Sequence, residues 1–157
     1  MANDALGVYL AINSVQAELA SSGITKSREN SQQKYMFRGI DDIYNAVSAI
    51  LAKNRLCIIP RVVSRVSEER QSRSGGTLFY VTVEVHFDFV SASDGSSHTA
   101  VFYGEAMDSA DKATNKAMSA AYKYMMLQTF CIPTLFPAPA GMNRQQEYGG
   151  GVGLPVP

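Results

Sequence analysis

"TLFYVTVEVHFDFV", residues 77–90, alternates without a break: Phe79, Val81, Val83, Val85, Phe87 and Phe89 fall on one side, Tyr80, Thr82, Glu84, His86 and Asp88 on the other. A period of two held this long belongs to a β-strand with one face in a core and the other in water. The flanking chain must then supply partner strands and an apolar cover. Upstream, LCIIPRVVSRV (56–66) predicts a strand with Ile58, Val62 and Val66 on one side and Arg61, Val63 and Arg65 on the other. SEERQSRSGG (67–76) forms a flexible hairpin tip ending in Gly75 and Gly76. Downstream, SDGSS (93–97) makes a tight turn and HTAVFYGEA (98–106) a third strand. Consecutive strands on short connections form an antiparallel meander.

The cover comes next. GEAMDSADKATNKAMSAAYKYMMLQTF (104–130) predicts a helix over about 108–130. At about 100° per residue, Ala113, Ala117, Ala120, Ala121, Tyr124, Leu127 and Gln128 share an arc that the sheet buries, and the small alanines allow close approach. Lys112, Lys116 and Lys123 fall on an adjoining arc, with Ser119 between them and Asn115, Tyr122 and Met126 alongside.

Two helices precede the sheet. Residues 4–20 place Leu6, Leu10, Val15 and Leu19 near helical spacing, and DDIYNAVSAILAKNR (41–55) puts Ile43, Val47, Ile50 and Leu51 on one face, with acids in its first turn and bases in its last. Between them, 21–33 reads as an exposed loop and KYMFRG (34–39) as extended chain. The expected fold class is α+β: a three-stranded antiparallel meander covered by a long C-terminal helix, with two N-terminal helices. The expected domain is 1–136. Residues 137–157, rich in Pro and Gly and without period, form a flexible tail.

At 157 residues the chain suits one ordinary core. The start has no basic region leading into an apolar run, and no stretch approaches the roughly 20 apolar residues that cross a bilayer, so a cytoplasmic protein without membrane partners is expected. Cys57 and Cys131, in RLCII and TFCIP, read as buried reduced thiols. Cys and His spacing gives no support to a metal site.

Net charge is zero, but its distribution is uneven. Residues 26–73 hold ten of the fourteen Lys and Arg against five acids, whereas 74–111 hold six acids and no base. From 112 onward four bases face one acid. Such segregation suits a basic groove gathered from two distant stretches, and it equally suits charges spread over a solvated surface. The lysine row has the same two readings. It is either the wet flank of an amphipathic helix or a rail for the phosphates of single-stranded nucleic acid, which needs spaced cations and aromatic rings but no base-specific contacts.

The blocks KYMFRGIDDIYNAVSAILAKNRLCIIPRV and YGEAMDSADKATNKAMSAAYKYMMLQTFCIPT resemble the essential recombination function (ERF) family of bacteriophage single-strand DNA annealing proteins, in order and over about residues 5–136. The resemblance implies a β-β-β-α core shared with the wider annealing superfamily, which includes the eukaryotic Rad-type recombination mediators. It also implies rings or filaments of a homo-oligomer that holds DNA in a groove. Carried over by position, Lys112, Lys116 and Lys123 become the phosphate contacts. Lys34, Tyr35 and Arg38 of the KYMFRG segment reach the same groove, Phe37 serves as a core anchor, and Tyr122 with Arg61 and Arg65, which serve either DNA or a neighbouring subunit, complete the candidate DNA-binding set. Partners implied by the family are single-stranded DNA, the annealed duplex intermediate, and a phage exonuclease or host single-strand-binding protein.

Enzymatic readings find little in the chain. No G-x-x-x-x-G-K-[ST] phosphate loop is present, which argues against ATP-driven strand exchange. Glu105, Asp108 and Asp111 suggest a metal-dependent nuclease, but their place at the start of the last helix has a simpler account, with Asp108 capping it and Asp111 facing its free N–H groups. The expectation is a non-enzymatic annealing protein without catalytic residues, metal or cofactor. A single-strand-coating protein and a structural oligomer are the alternatives.

Overall fold

The computed structural model describes residues 6–24, 28–30, 35–37 and 39–133, the two short internal segments as backbone only. Three strands dominate: β3 (Leu56–Gln71), β4 (Thr77–Ser91) and β5 (Ser97–Asp108), antiparallel and in the order β3-β4-β5. Before them come α1 (Leu6–Ser22), a small hairpin of β1 (Arg28–Asn30) and β2 (Tyr35–Phe37), and α2 (Ile40–Lys53). After them comes α3 (Ala113–Thr129). This is the expected α+β meander with two preceding helices and a covering C-terminal helix.

The alternation in β4 is obeyed along its length. Val81, Val83, Val85, Phe87 and Phe89 are at most 2% exposed, while Tyr80, Thr82, Glu84, His86 and Asp88 are half-buried on the opposite face. All three helices pack on the Val81–Phe89 side, so among the described residues the sheet has one covered and one bare face. Pairing runs from Leu56↔Ser91 to Gln71↔Thr77 on one side of β4, and from Phe79↔Asp108 to Val90↔Ser97 on the other.

β3 continues five residues past the expected end at Val66 and takes up half of the supposed hairpin tip. Cross-strand contacts account for the extension: Glu68 lies opposite Tyr80, and Arg70 stacks over the Tyr80 ring at 4.5 Å while pairing with Glu68 at 2.8 Å. The reversal itself is confined to Ser72–Gly76, where Gly75 adopts φ +84°.

A β-bulge between Val62 and Ser64 corrects the expected facing of β3. One extra residue reverses the alternation beyond it. Arg61 therefore pairs opposite His86 on the bare face, whereas Arg65 pairs opposite Val83 on the helix-covered face. The same reversal parts Val62, opposite Val85, from Val66, opposite Thr82.

α3 packs mainly on β5, and its closest approach is at Gly104. A Cβ there would collide with the Ala117 carbonyl and the Ala121 backbone, so glycine on the strand and alanine on the helix act together. The helix begins at Ala113 rather than 108, because Asp108 still pairs with Phe79 at the end of β5. Its buried stripe is Ala113, Ala117, Ala121 and Met125, joined by Met126. Tyr124 (49% exposed) and Gln128 turn outward, against expectation, and Ala120 and Leu127 are half-buried. Residues spaced by four drift slowly round a helix, and Gly104 sets which four-residue row faces inward.

On α1 the buried residues are Val8, Val15 and Leu19, and the expected core positions Leu6 and Leu10 are exposed. Both sit about 200° round from Val8. Val8 is fixed by the β4–β5 turn, where Ser96 Oγ accepts its N–H at 2.8 Å and itself donates to Asp94 at 2.7 Å. α2 buries Ile43 and Val47 with Ile50 and Leu51 half-buried, and Asp42 accepts the Gly39 N–H at 2.7 Å as a helix cap. Within the expected loop 21–33, Arg28–Asn30 pair with Tyr35–Phe37. The two cysteines are free thiols as expected, but both are exposed. Cys57 alternates with inward-facing Leu56 and Ile58, and Cys131 follows α3 at φ +47°.

Candidate nucleic-acid interface

Lys112, at the N-cap of α3, and Lys116 are exposed, and Lys123 is half-buried. They share a stripe about 140° round from the centre of the Ala113–Met125 row; it faces solvent at Lys112 and Lys116, and at Lys123 it borders buried Met126, about 60° away. Lys116 is ion-paired with Asp108, and Lys123 lies over the Tyr124 ring at 5.1 Å. Asp108 does not cap the helix, as its position in the sequence suggested. It accepts the Ala110 N–H at 2.8 Å in the turn that precedes α3, and Lys116 first, then that hydrogen bond, hold its carboxyl below the usual range.

Arg65 reaches α3 because of the bulge. Its Nε donates to Thr114 Oγ1 at 2.9 Å, on a side of the first turn about 160° round the helix from Lys112 and Lys116. Arg61 does not reach the helix. On the bare face it makes a two-pronged pair with Asp88 at 2.5 and 2.9 Å, and Thr99 donates to the same carboxylate at 2.6 Å. These bonds push Asp88 down to about 2 and raise Arg61. The two arginines expected in one groove therefore lie on opposite faces of the sheet.

Tyr122 is half-buried, stacked on Tyr44 of α2 with ring centres 4.7 Å apart and edge-on to Phe87 at 6.0 Å. Burial pushes its phenol up to about 12. It walls one end of a cleft of about 260 Å³ that opens where α3 leaves β3 uncovered. Val85 and Phe87 form the floor, Pro60 and Val62 one side, and Asn115, Met118 and Ser119 the other. Tyr44 was not singled out from the sequence. The available signal was an aromatic next to Ile43 but off the apolar stripe of an amphipathic helix.

Lys34 and Arg38 lie outside the described residues, as does the tail 137–157; the backbone of Tyr35 pairs with Asn30 in the small hairpin. The three acids weighed as a nuclease site are dispersed. Glu105 faces the bare side opposite Thr82, Asp108 ends β5 on the other side, and Asp111 is exposed in the connection to α3. Among the described residues no three His, Cys, Asp or Glu side chains come together as a metal site, and no helix is long and apolar enough to cross a membrane.

A meander with one bare face, helices on the other and a cationic ridge along the last helix defines an α+β protein of the β-β-β-α class. More particularly, the family model of the ERF superfamily matches residues 8–146, most of the chain, and the protein belongs to that superfamily. Membership sets it in phage recombination of the annealing type. No curated protein matches the chain.

Proposed function

We propose that the protein binds single-stranded DNA along the lysine stripe of α3 and anneals complementary strands without ATP, in the cytoplasm of a phage-infected bacterium. The observation that carries this reading is the row of Lys112, Lys116 and Lys123 along one side of α3, with Arg65 reaching Thr114 on the helix's other flank, in a chain of the ERF superfamily. Cations spaced along a helix follow a phosphate backbone and leave the base edges available. Pairing of the bases supplies the free energy, so the protein needs only to open hairpins and screen phosphate repulsion. No catalytic group, metal or cofactor enters the mechanism. Asp108 sets a threshold, because a phosphate must compete with its carboxylate for Lys116.

Self-association belongs to the same reading. The bare face exposes Val66, Val101, Tyr103 and Met107 among Glu68, Glu84 and Glu105, and among the described residues β3 and β5 are both open edges. Such surfaces are usually covered, and a head-to-tail contact that closes by rotation makes a ring. The annealing unit would be residues 1–136, with an exonuclease or a host single-strand-binding protein as further partners.

The test mixes two complementary labelled oligonucleotides with the protein, without nucleotide or metal, across a salt series. Pairing should exceed the protein-free rate. Replacing Lys112, Lys116 and Lys123 together by Ala should lower the slope of log affinity against log salt by about 2, at about 0.7 per phosphate contact, and nearly abolish annealing. An unchanged slope with dissociated oligomers would make the lysines an assembly surface instead. Strand binding without faster pairing would leave a coating protein.

A further inference from the structure

We propose that the cleft between α3 and β3 is a nucleobase site, taking one unstacked base from the strand whose phosphates run along α3 while the neighbouring bases stay free to pair. The inference rests on the DNA-binding reading and adds a residue-level site to it. Three features point to a base rather than to another occupant.

Apolar side chains that are partly open to solvent line the cleft. Tyr44 is 48% exposed, Met118 42% and Val62 45%, over a floor of buried Val85 and Phe87. The Tyr44–Tyr122 pair presents an aromatic wall of the kind on which bases stack regardless of sequence.

Polar groups are present and unused. Asn115 and Ser119, one helical turn apart on the same side of α3, line the cleft, and neither side chain hydrogen-bonds to another described residue. An apolar side chain from a second copy would leave both without partners, whereas the edge of a base offers donors and acceptors to both.

Cations flank the opening. Asn115 lies beside Lys116 and three residues from Lys112, and Arg65 reaches Thr114 at the same turn. A nucleotide with its base in the cleft would therefore have its phosphate within reach of a positive charge. At about 260 Å³ the space falls below the roughly 300–1,000 Å³ of sites for larger small molecules, which suits a single ring system.

The experiment measures binding of labelled oligothymidylate and of an abasic strand of equal length to the wild-type protein and to Tyr44→Leu, Tyr44→Phe and Asn115→Leu. Tyr44→Leu should lose about tenfold in affinity for the intact strand with an unchanged salt slope. Tyr44→Phe should stay within about twofold, because the ring is kept. Asn115→Leu should lose severalfold on the intact strand, and neither Leu variant should differ from wild type on the abasic strand. A strand carrying one 2-aminopurine should change its fluorescence on binding wild type but not Tyr44→Leu. Equal losses on intact and abasic strands would overturn the base site, as would wild-type affinity in both Leu variants. Disassembly of oligomers by Tyr44→Leu with DNA binding intact would assign the cleft to a second copy. If Tyr44→Leu does not fold, Asn115→Leu, at an exposed helical position, decides alone. Failure of the wild-type protein to bind either strand would instead sink the DNA-binding reading itself.

Discussion

On the helix-covered side of β4, Val83 and Phe89 are fully buried; one residue along, Glu84 and Asp88 on the bare side remain partly exposed and are held by pairs with His86 at 2.9 Å and with Arg61. The covered face is held by shape, through interlocking apolar side chains. The bare face is held by local polar pairs that each involve two or three residues. Loss of one group on the first leaves a cavity or a clash in a close-packed layer, whereas loss of one on the second is made up by water. The faces should therefore respond to substitution very differently.

The largest effect should come from Phe87→Ala. Phe87 is 1% exposed and meets Phe102 and Tyr122 edge-on, so truncation should cost about 3–5 kcal/mol in a denaturant titration. A cost below about 1 kcal/mol would break the distinction between the faces. Next is Gly104→Ala. The added methyl meets helix backbone rather than a flexible side-chain end, so α3 must lift, at about 1–3 kcal/mol. An Ala variant as stable as wild type would remove Gly104 as the determinant of which helix row faces inward.

On the bare face, Tyr103→Ser should change monomer stability by no more than about 0.5 kcal/mol, although Tyr103 is a large side chain, because it is already 61% exposed. Light scattering on the same variant sharpens the comparison: if this face joins subunits, the assembly should shrink while the monomer melts as before.

The smallest effect is a pH dependence. Asp88 is held at about 2 in the folded chain, below its ordinary 3.8, first by the Arg61 hydrogen bond and then by Thr99. A depressed carboxyl contributes stability that is fully present above its unfolded value and is lost as pH falls through the folded one. Wild type should therefore exceed Asp88→Asn by a small constant margin above about pH 4, and the margin should vanish toward about pH 2. Melting curves across that range check it. A margin that widened on acidification would show that Asp88 is not paired in solution.

The lysine row was legible in the sequence because Lys112, Lys116 and Lys123 repeat at helical spacing within one element, and the helix formed as expected from Ala113 onward. Its partners were not legible. Whether Arg61 or Arg65 reaches α3 depends on a single bulge in a Val62–Val63 tandem, where either residue suits a strand and neither marks the slip. The Tyr44–Tyr122 pair joins residues far apart in the chain, and nothing local to either announces the other. Asp108 reads as a helix cap because Asp commonly caps helices, but the ladder to Phe79 extends β5 through it.

By itself the sequence determined the succession of elements, the inward face of β4 and the lysine spacing. Each of these is a periodicity carried by neighbours along the chain, where backbone geometry alone says which side chains share a side. The tertiary structure decided which row of α3 meets the sheet, which arginine reaches that helix, which face stays bare and where the aromatic cleft opens. Those depend on a helix backbone resting against Gly104 and on a register set across strands, and neither contact has a trace in the local order of residues.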